Sequence, residues 1–244
     1  MPRELQEAFG LMQVEDFRPR YNIAPTQPIL IVVNGPVRPE GSNEPRRRAL
    51  LVRWGLLPGW VKDPKDFPLL INARSETAAE KAVFRAAMRH RRVLIPASGF
   101  YEWRRASGKA AKPQAYWVRP RHGGIVAFGG LMETYMSVDG SELDTAAILT
   151  TAANDTLAPI HDRMPVVIEP KDRDRWLDTT GHESRDVADL LRPVGGDYFE
   201  AVPVSDRVNA AANQGPDLQH PLVVAETVDE ARPFPNGGDQ LPLF

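Results

Sequence analysis

Four apolar runs follow one another across residues 91–151: RRVLIPASGFYEWR, AYWVRP, GIVAFGGLME and TAAILTT. Each is rich in β-branched or aromatic residues and is broken by Gly, Ser or Pro, the pattern of successive strands. Parallel neighbours need a crossover of a dozen or more residues, usually a helix, between strands. Strands that succeed one another without helices therefore argue against a parallel, doubly wound sheet and for a mixed α+β fold.

The rest of the chain fits that class. PRELQEAFGLM spaces Leu5, Ala8, Phe9 and Met12 at helical intervals, with Gly10 weakening the end. YNIAPTQ is a proline-bearing loop, PILIVV a short strand, and residues 34–45 an exposed hairpin loop. ALLVRWGLLPGW resumes a strand that ends at Pro58-Gly59, and DPKDFPLL is irregular. SETAAEKAVFRAAMRH is the clearest helix, with Ala79, Val83, Ala86 and Ala87 on one face. PKDRDRWLD and SRDVADLL suggest short helices, and YFEAVPVSDRVN a closing strand. No repeat and no break in composition divides the body. One domain over residues 1–223 is expected, followed by an acidic, proline-rich tail over 224–244 that buries little and is expected to be mobile.

Charge and composition exclude more than they assign. The net charge is −2, so the overall balance advertises no polyanion, although a few clustered arginines would still steer phosphate. No apolar segment has membrane-spanning length and no leader is evident, which reads as a soluble, cytoplasmic, membrane-free protein. The sequence holds no cysteine, which removes disulfides and thiolate metal sites. There is no HExxH, GxSxG, P-loop or strand-linked GxGxxG, and the histidines lack metal-ligand spacing, so no metal or cofactor is expected.

Three stretches set polar residues against apolar runs, where a polar group must find partners or cost stability. They are LLINARSE, with Asn72, Arg74 and Glu76; PASGFYEW, with Glu102 between Tyr101 and Trp103; and IHDRMPVVI, with His161 and Arg163. A carboxyl flanked by aromatics suits proton transfer near neutral pH, a histidine relays that proton, and arginines suit phosphate. Each residue also has a plain reading. Glu102 alone is a solvent-facing strand residue, His161 a satisfied loop histidine, Asn72 a helix cap, and Arg46 to Arg48 a solvated run.

Taken together and in order, YNIAPTQ, RWGLLPGW, INARSET, RRVLIPASGFYEW and APIHDRMPVVI resemble the SRAP (SOS response associated peptidase) family of abasic-site processing proteins. VSDRVNAAANQGPDL resembles the family's closing segment, so the resemblance spans about residues 18–218. It implies a single α+β domain with a strongly curved, barrel-like, mostly antiparallel sheet flanked by helices. It also implies a monomer that binds single-stranded DNA at abasic sites, joins the nucleoid when bound, and links itself covalently to the ring-opened sugar. Asn72, Glu102 and His161 would form the active trio; Asn22, Pro25, Trp54, Arg74 and Arg163 would line the DNA path. Tryptophan and arginine along one groove also suit sequence-tolerant binding of single strands.

The chain departs from the family at its start. The family links through an N-terminal cysteine exposed by removal of the initiator methionine; this sequence begins Met1-Pro2-Arg3-Glu4. Three expectations compete: a true start upstream, with the first strand missing here; binding without a covalent link; or a Pro2 amine that forms an iminium and cuts the strand.

Overall fold

The computed structural model describes residues 2–12, 18–35, 46–104 and 112–222; the tail over 223–244 and most of the 34–45 loop lie outside them. The apolar runs fold as strands: β1 (Pro28–Asn34), β2 (Arg47–Trp54), β3 (Asn72–Arg74), β4 (Arg92–Ala97), β5 (Phe100–Arg104), β6 (Gln114–Pro120), β7 (Val126–Met136), β8 (Glu142–Ala152), β9 (Arg163–Pro165) and β10 (Phe199–Pro203). The helices are α1 (Pro2–Phe9), α2 (Ser75–Ala78), α3 (Ala82–His90) and α4 (Arg173–Leu177).

The main sheet runs β2-β1-β4-β7-β8 and closes on itself where β2 pairs with β8 at Arg53–Thr145 and Trp54–Ala146. Closure turns the sheet into a barrel. β8 then continues past the closure: β3 lies parallel to it at residues 148–150, and β9 lies antiparallel on its other edge at 150–152. A separate antiparallel sheet, β10-β6-β5, packs against the barrel. The fold is thus the α+β barrel that the resemblance implies.

Both faces of the main sheet are covered, which is why β1 and β4 read as unbroken apolar runs instead of alternating. One face buries Val32, Leu94, Leu131 and Leu149 against Phe9 of α1, Phe84 and Met88 of α3, and Trp176 of α4. The other buries Ile29, Ile31, Val93 and Phe128 against Phe199 and Phe100 of the smaller sheet. The barrel has one opening in its pairing. β1 and β4 are paired only at Val32–Leu94, so the edges of β1 before Val32 and of β4 after Leu94 face each other without a ladder.

Several expectations need correction. The helix expected over residues 75–90 is two, parted at 79–81. Its core face is Phe84, Ala87 and Met88, while Ala79 and Ala86 are exposed, because the larger side chains remove more apolar area from water. Met12 lies beyond the end of α1, which Gly10 closes at φ 64°, and is 65% exposed. SRDVADLL forms a run of 3-10 turns over Ser184–Leu190. Arg47 is not solvated: its guanidinium donates to the carbonyl of Phe9 at 2.9 Å and pairs with Asp174 at 2.8 Å. Arg173 donates to the carbonyl of Ala8 and lies over the Phe9 ring, 4.4 Å from its centroid. Two arginines therefore clamp the C-terminal end of α1, where cations complement the helix dipole.

Candidate functional site

A cavity of about 860 Å³ opens where the smaller sheet meets the barrel, and all eight residues singled out from the sequence line it: Asn22, Pro25, Trp54, Asn72, Arg74, Glu102, His161 and Arg163. Segments separated by more than a hundred positions converge here: β3 and β9 flank β8 of the main sheet, and β5 belongs to the smaller sheet packed against it.

Glu102 owes its position to strand alternation. Residues two apart on a strand share a face, so Glu102 lies on the side of β5 that carries Phe100, whose ring packs edge-on against Phe128 and Phe199 at 5.7 and 5.5 Å. The solvent-facing reading of Glu102 is therefore wrong; the residue is half-buried. Burial raises its carboxyl above the ordinary range, while the field of His161 and the backbone amide of Trp103 pull the other way and lose.

His161 closes a tight turn between β8 and β9. Leu157, fully buried, anchors the turn; Asn154 accepts from the Leu157 amide at 3.1 Å, and the His161 amide donates to the Leu157 carbonyl at 2.9 Å. The backbone N–H of Arg163 donates to His161 Nδ1 at 3.0 Å, which ties the ring to the start of β9. Asn72 is exposed at the start of β3 and caps no helix: the residue ahead of α2 is Arg74, which has no side-chain cap bond. Trp54 donates its indole N–H to the carbonyl of Ile71 at 3.0 Å and so braces the residue just before Asn72.

The expected DNA-path residues divide by what their polar atoms do. Arg74 is exposed, and its guanidinium forms no hydrogen bond or ion pair among the described residues. Pro25 is exposed on the rim, in a loop held stiff by Thr26, whose φ is 72°. A β-branched residue adopts that conformation only where its surroundings impose it; here the Thr26 amide donates to the Trp54 carbonyl at 2.8 Å. Gln27 Oε1 accepts from Ala24 N and from Arg20 at 3.1 and 2.7 Å. Asn22, by contrast, is buried, and its amide nitrogen donates to the carbonyls of Val208, Ala210 and Asn213 at 3.0, 3.2 and 3.3 Å. It fastens the C-terminal segment that forms one wall. Arg163 is committed to Glu76 through both terminal nitrogens, at 2.6 and 2.8 Å.

Residues not singled out also line the cavity. Arg18 and Arg20 add positive charge; Trp103 donates to Asn209 Oδ1 at 2.7 Å; Tyr101 donates to the Tyr21 carbonyl at 2.8 Å, and burial pushes its hydroxyl above the ordinary tyrosine range. Only adjacency to Glu102 could have flagged Trp103 and Tyr101, and nothing local flags Arg18 or Arg20. Among the described residues the lining holds four arginines, one of them paired with Glu76, and one carboxylate, Glu102, in a chain whose net charge is −2. That asymmetry concentrates positive potential in a concave, partly apolar site and favours an anionic ligand. Among the described residues no group of three or more acidic, histidine or cysteine side chains is arranged to hold a metal ion. Among the described residues no helix is long and apolar enough to cross a membrane.

The profile of the SOS response associated peptidase (SRAP) family matches residues 1–211. The abasic site processing protein YoqW of Bacillus subtilis is 38% identical over 203 residues, covering 83% of this chain and 86% of the relative. Abasic site processing protein YedK of Escherichia coli is 31% identical over 205 residues, covering 83% of this chain and 85% of its own. A crystal structure of a Bordetella bronchiseptica protein superposes with a TM-score of 0.70 at 23% identity, over 84% of this chain and 96% of that one, and shares the fold.

Proposed function

The chain belongs to the SOS response associated peptidase family, and from that premise we propose that it binds single-stranded DNA at abasic sites and engages the ring-opened sugar in the cavity beside Glu102. The observation that carries the reading is the meeting, in one cavity, of a carboxyl whose ionisation burial disfavours, a histidine tied at Nδ1 to the Arg163 amide, and four arginines. Glu102 moves protons as the sugar opens and condenses. His161 stabilises the opened sugar, and Asn72 orients the reacting amine. Pro25, Trp54, Arg74 and Arg163 follow the strand, and Asn22 acts through the wall it fastens. The protein works as a monomer, in the cytoplasm and at the nucleoid.

The covalent step condenses an amine with the sugar aldehyde, releasing water to leave an imine; a neighbouring thiol then adds across the C=N bond to close a thiazolidine. This sequence holds no cysteine, so we infer that an upstream segment supplies both groups. Two features support it. The unpaired edges of β1 and β4 face each other along the cavity, whose lining includes Leu30 and Pro96, and such edges are templates for an added strand. Leu5 of α1 lines the same cavity, so this helix borders the site where such a strand would lie.

The test pairs the N-terminal residue of the natively expressed protein, from intact mass and terminal sequencing, with a labelled abasic oligonucleotide. A processed upstream cysteine and a complex that survives denaturation support the full reading. Binding without a stable complex from a chain that starts at Met1 reduces the protein to a non-covalent reader of single strands. Capture only after borohydride assigns the chemistry to the Pro2 amine. Equal affinity for intact and abasic single strands would refute the abasic reading.

A further inference from the structure

The ion pair between Glu76 and Arg163 runs across a strand instead of along one. Glu76 follows β3 in the first turn of α2, and Arg163 opens β9 two residues after His161. β8 lies between them, with Thr150 opposite Arg74 on one edge and opposite Pro165 on the other. The Arg163 guanidinium reaches over β8, donates to the Thr150 carbonyl on the way, and meets both carboxylate oxygens of Glu76 at 2.6 and 2.8 Å. A bidentate arginine–carboxylate pair fixes orientation as well as distance. The pair is also partly withdrawn from water, the Arg163 side chain being 21% exposed, and it holds the Glu76 carboxyl below the ordinary range.

What the strut joins gives it a role. At one end stands β3, which carries Asn72 and Arg74; at the other stands the turn that carries His161, whose Nδ1 is held by the Arg163 amide. β3 and β9 have no pairing with each other and are related only through β8. β3 is three residues long and β9 is three residues long, so their ladders alone constrain them weakly.

We propose that Glu76 is a positioning residue of this site: through Arg163 it locks the Asn72–Arg74 strand to the His161 turn, and it presents Arg163 to the DNA in a fixed orientation. This deepens the functional reading above and rests on it. Glu76 touches neither sugar nor phosphate in this scheme. Arg163 keeps one N–H of Nη1 outside the pair for a phosphate oxygen, since each terminal nitrogen carries two.

A double-mutant cycle on the full chain tests it, with Glu76→Ala, Arg163→Ala, the double variant, and Glu76→Gln as the conservative change. Two readouts are taken: affinity for a short single strand bearing a stable abasic analogue, and the NMR signals of the Asn72 side-chain amide and His161 ring without DNA. Thermal unfolding first confirms that each variant folds. Each alanine substitution is expected to weaken binding about tenfold, with the double variant no weaker than Arg163→Ala alone, because coupled neighbours are not additive. Glu76→Gln, which keeps one acceptor oxygen, falls between. The Asn72 and His161 signals should move in both single variants and no further in the double.

Losses that multiply in the double variant, a gain of affinity in Glu76→Ala, or unmoved signals despite a lowered melting temperature would each overturn the proposal. The last would mark the pair as merely stabilising, and a gain would make Glu76 a competitor of phosphate. If wild-type protein fails to bind the oligonucleotide, the functional reading falls, while the NMR cycle still decides whether Glu76 positions the site.

Discussion

Gly99 sits in the Ser-Gly step by which the chain leaves the barrel at β4 and enters the smaller sheet at β5. A Cβ added there would come within 2.2 Å of the Val118 carbonyl oxygen and 2.7 and 2.9 Å of two Trp117 ring carbons. A carbon and a carbonyl oxygen rest at about 3.3 Å or more, so Gly99→Ala must push the start of β5 off β6 by roughly 1 Å. The first rung affected is Phe100–Val118, and the Phe100 ring is the one seated against Phe128 and Phe199. Overpacking costs about 1–3 kcal/mol and each of the two disturbed edge-on aromatic pairs up to about 1.5 kcal/mol, so the sum is roughly 1–6 kcal/mol. For a domain of this size that lowers Tm by roughly 2–20 °C. Because Glu102 rides on the same strand, an ångström of displacement should also slow reaction with an abasic oligonucleotide about a hundredfold. Gly140→Ala is the control. Its φ is +83°, yet nothing lies within 4 Å of an added Cβ, so only left-handed strain of about 1 kcal/mol applies. Scanning calorimetry on both variants decides the matter. A Gly99→Ala protein that melts with wild type, or a Gly140→Ala protein that melts lower than Gly99→Ala, would refute the steric argument.

Glu102→Gln tests the buried carboxyl through pH. A raised folded pKa means the protonated form is the favoured one, so its contribution is fully present below the unfolded pKa and is lost as pH rises through the folded value. Unfolding curves should therefore show the Gln variant more stable than wild type at neutral pH, with the difference vanishing in acid; a constant difference across pH would contradict the burial cause. The same variant should keep its affinity for single strands while losing reaction rate. Asn22→Ala withdraws the donor from three carbonyls, at a cost of about 1–3 kcal/mol. Amide exchange over 208–214 should accelerate well before exchange in the barrel; uniform acceleration would count against a local fastening role.

The strand succession from β4 to β8, the mixed class and the three chemical stretches can be read locally, because alternation, turn residues and polar groups set against apolar runs leave a signature within a few positions. The cysteine-free composition is equally plain. What local pattern does not carry is the identity of a partner across the chain. Nothing near Glu102 says that its face of β5 turns toward Phe128, the fact that raises its carboxyl. Nothing in INARSET or IHDRMP says that Glu76 and Arg163 meet over β8, that Asn22 is spent on carbonyls near residue 210, or that Arg47 leaves its basic run to clamp α1. The break at residues 79–81 and the unpaired edges of β1 and β4 have the same origin. Periodicity records how a segment repeats along itself; pairing, burial and charge compensation depend on which distant segments the closed barrel brings to one cavity, and only the tertiary structure decides that.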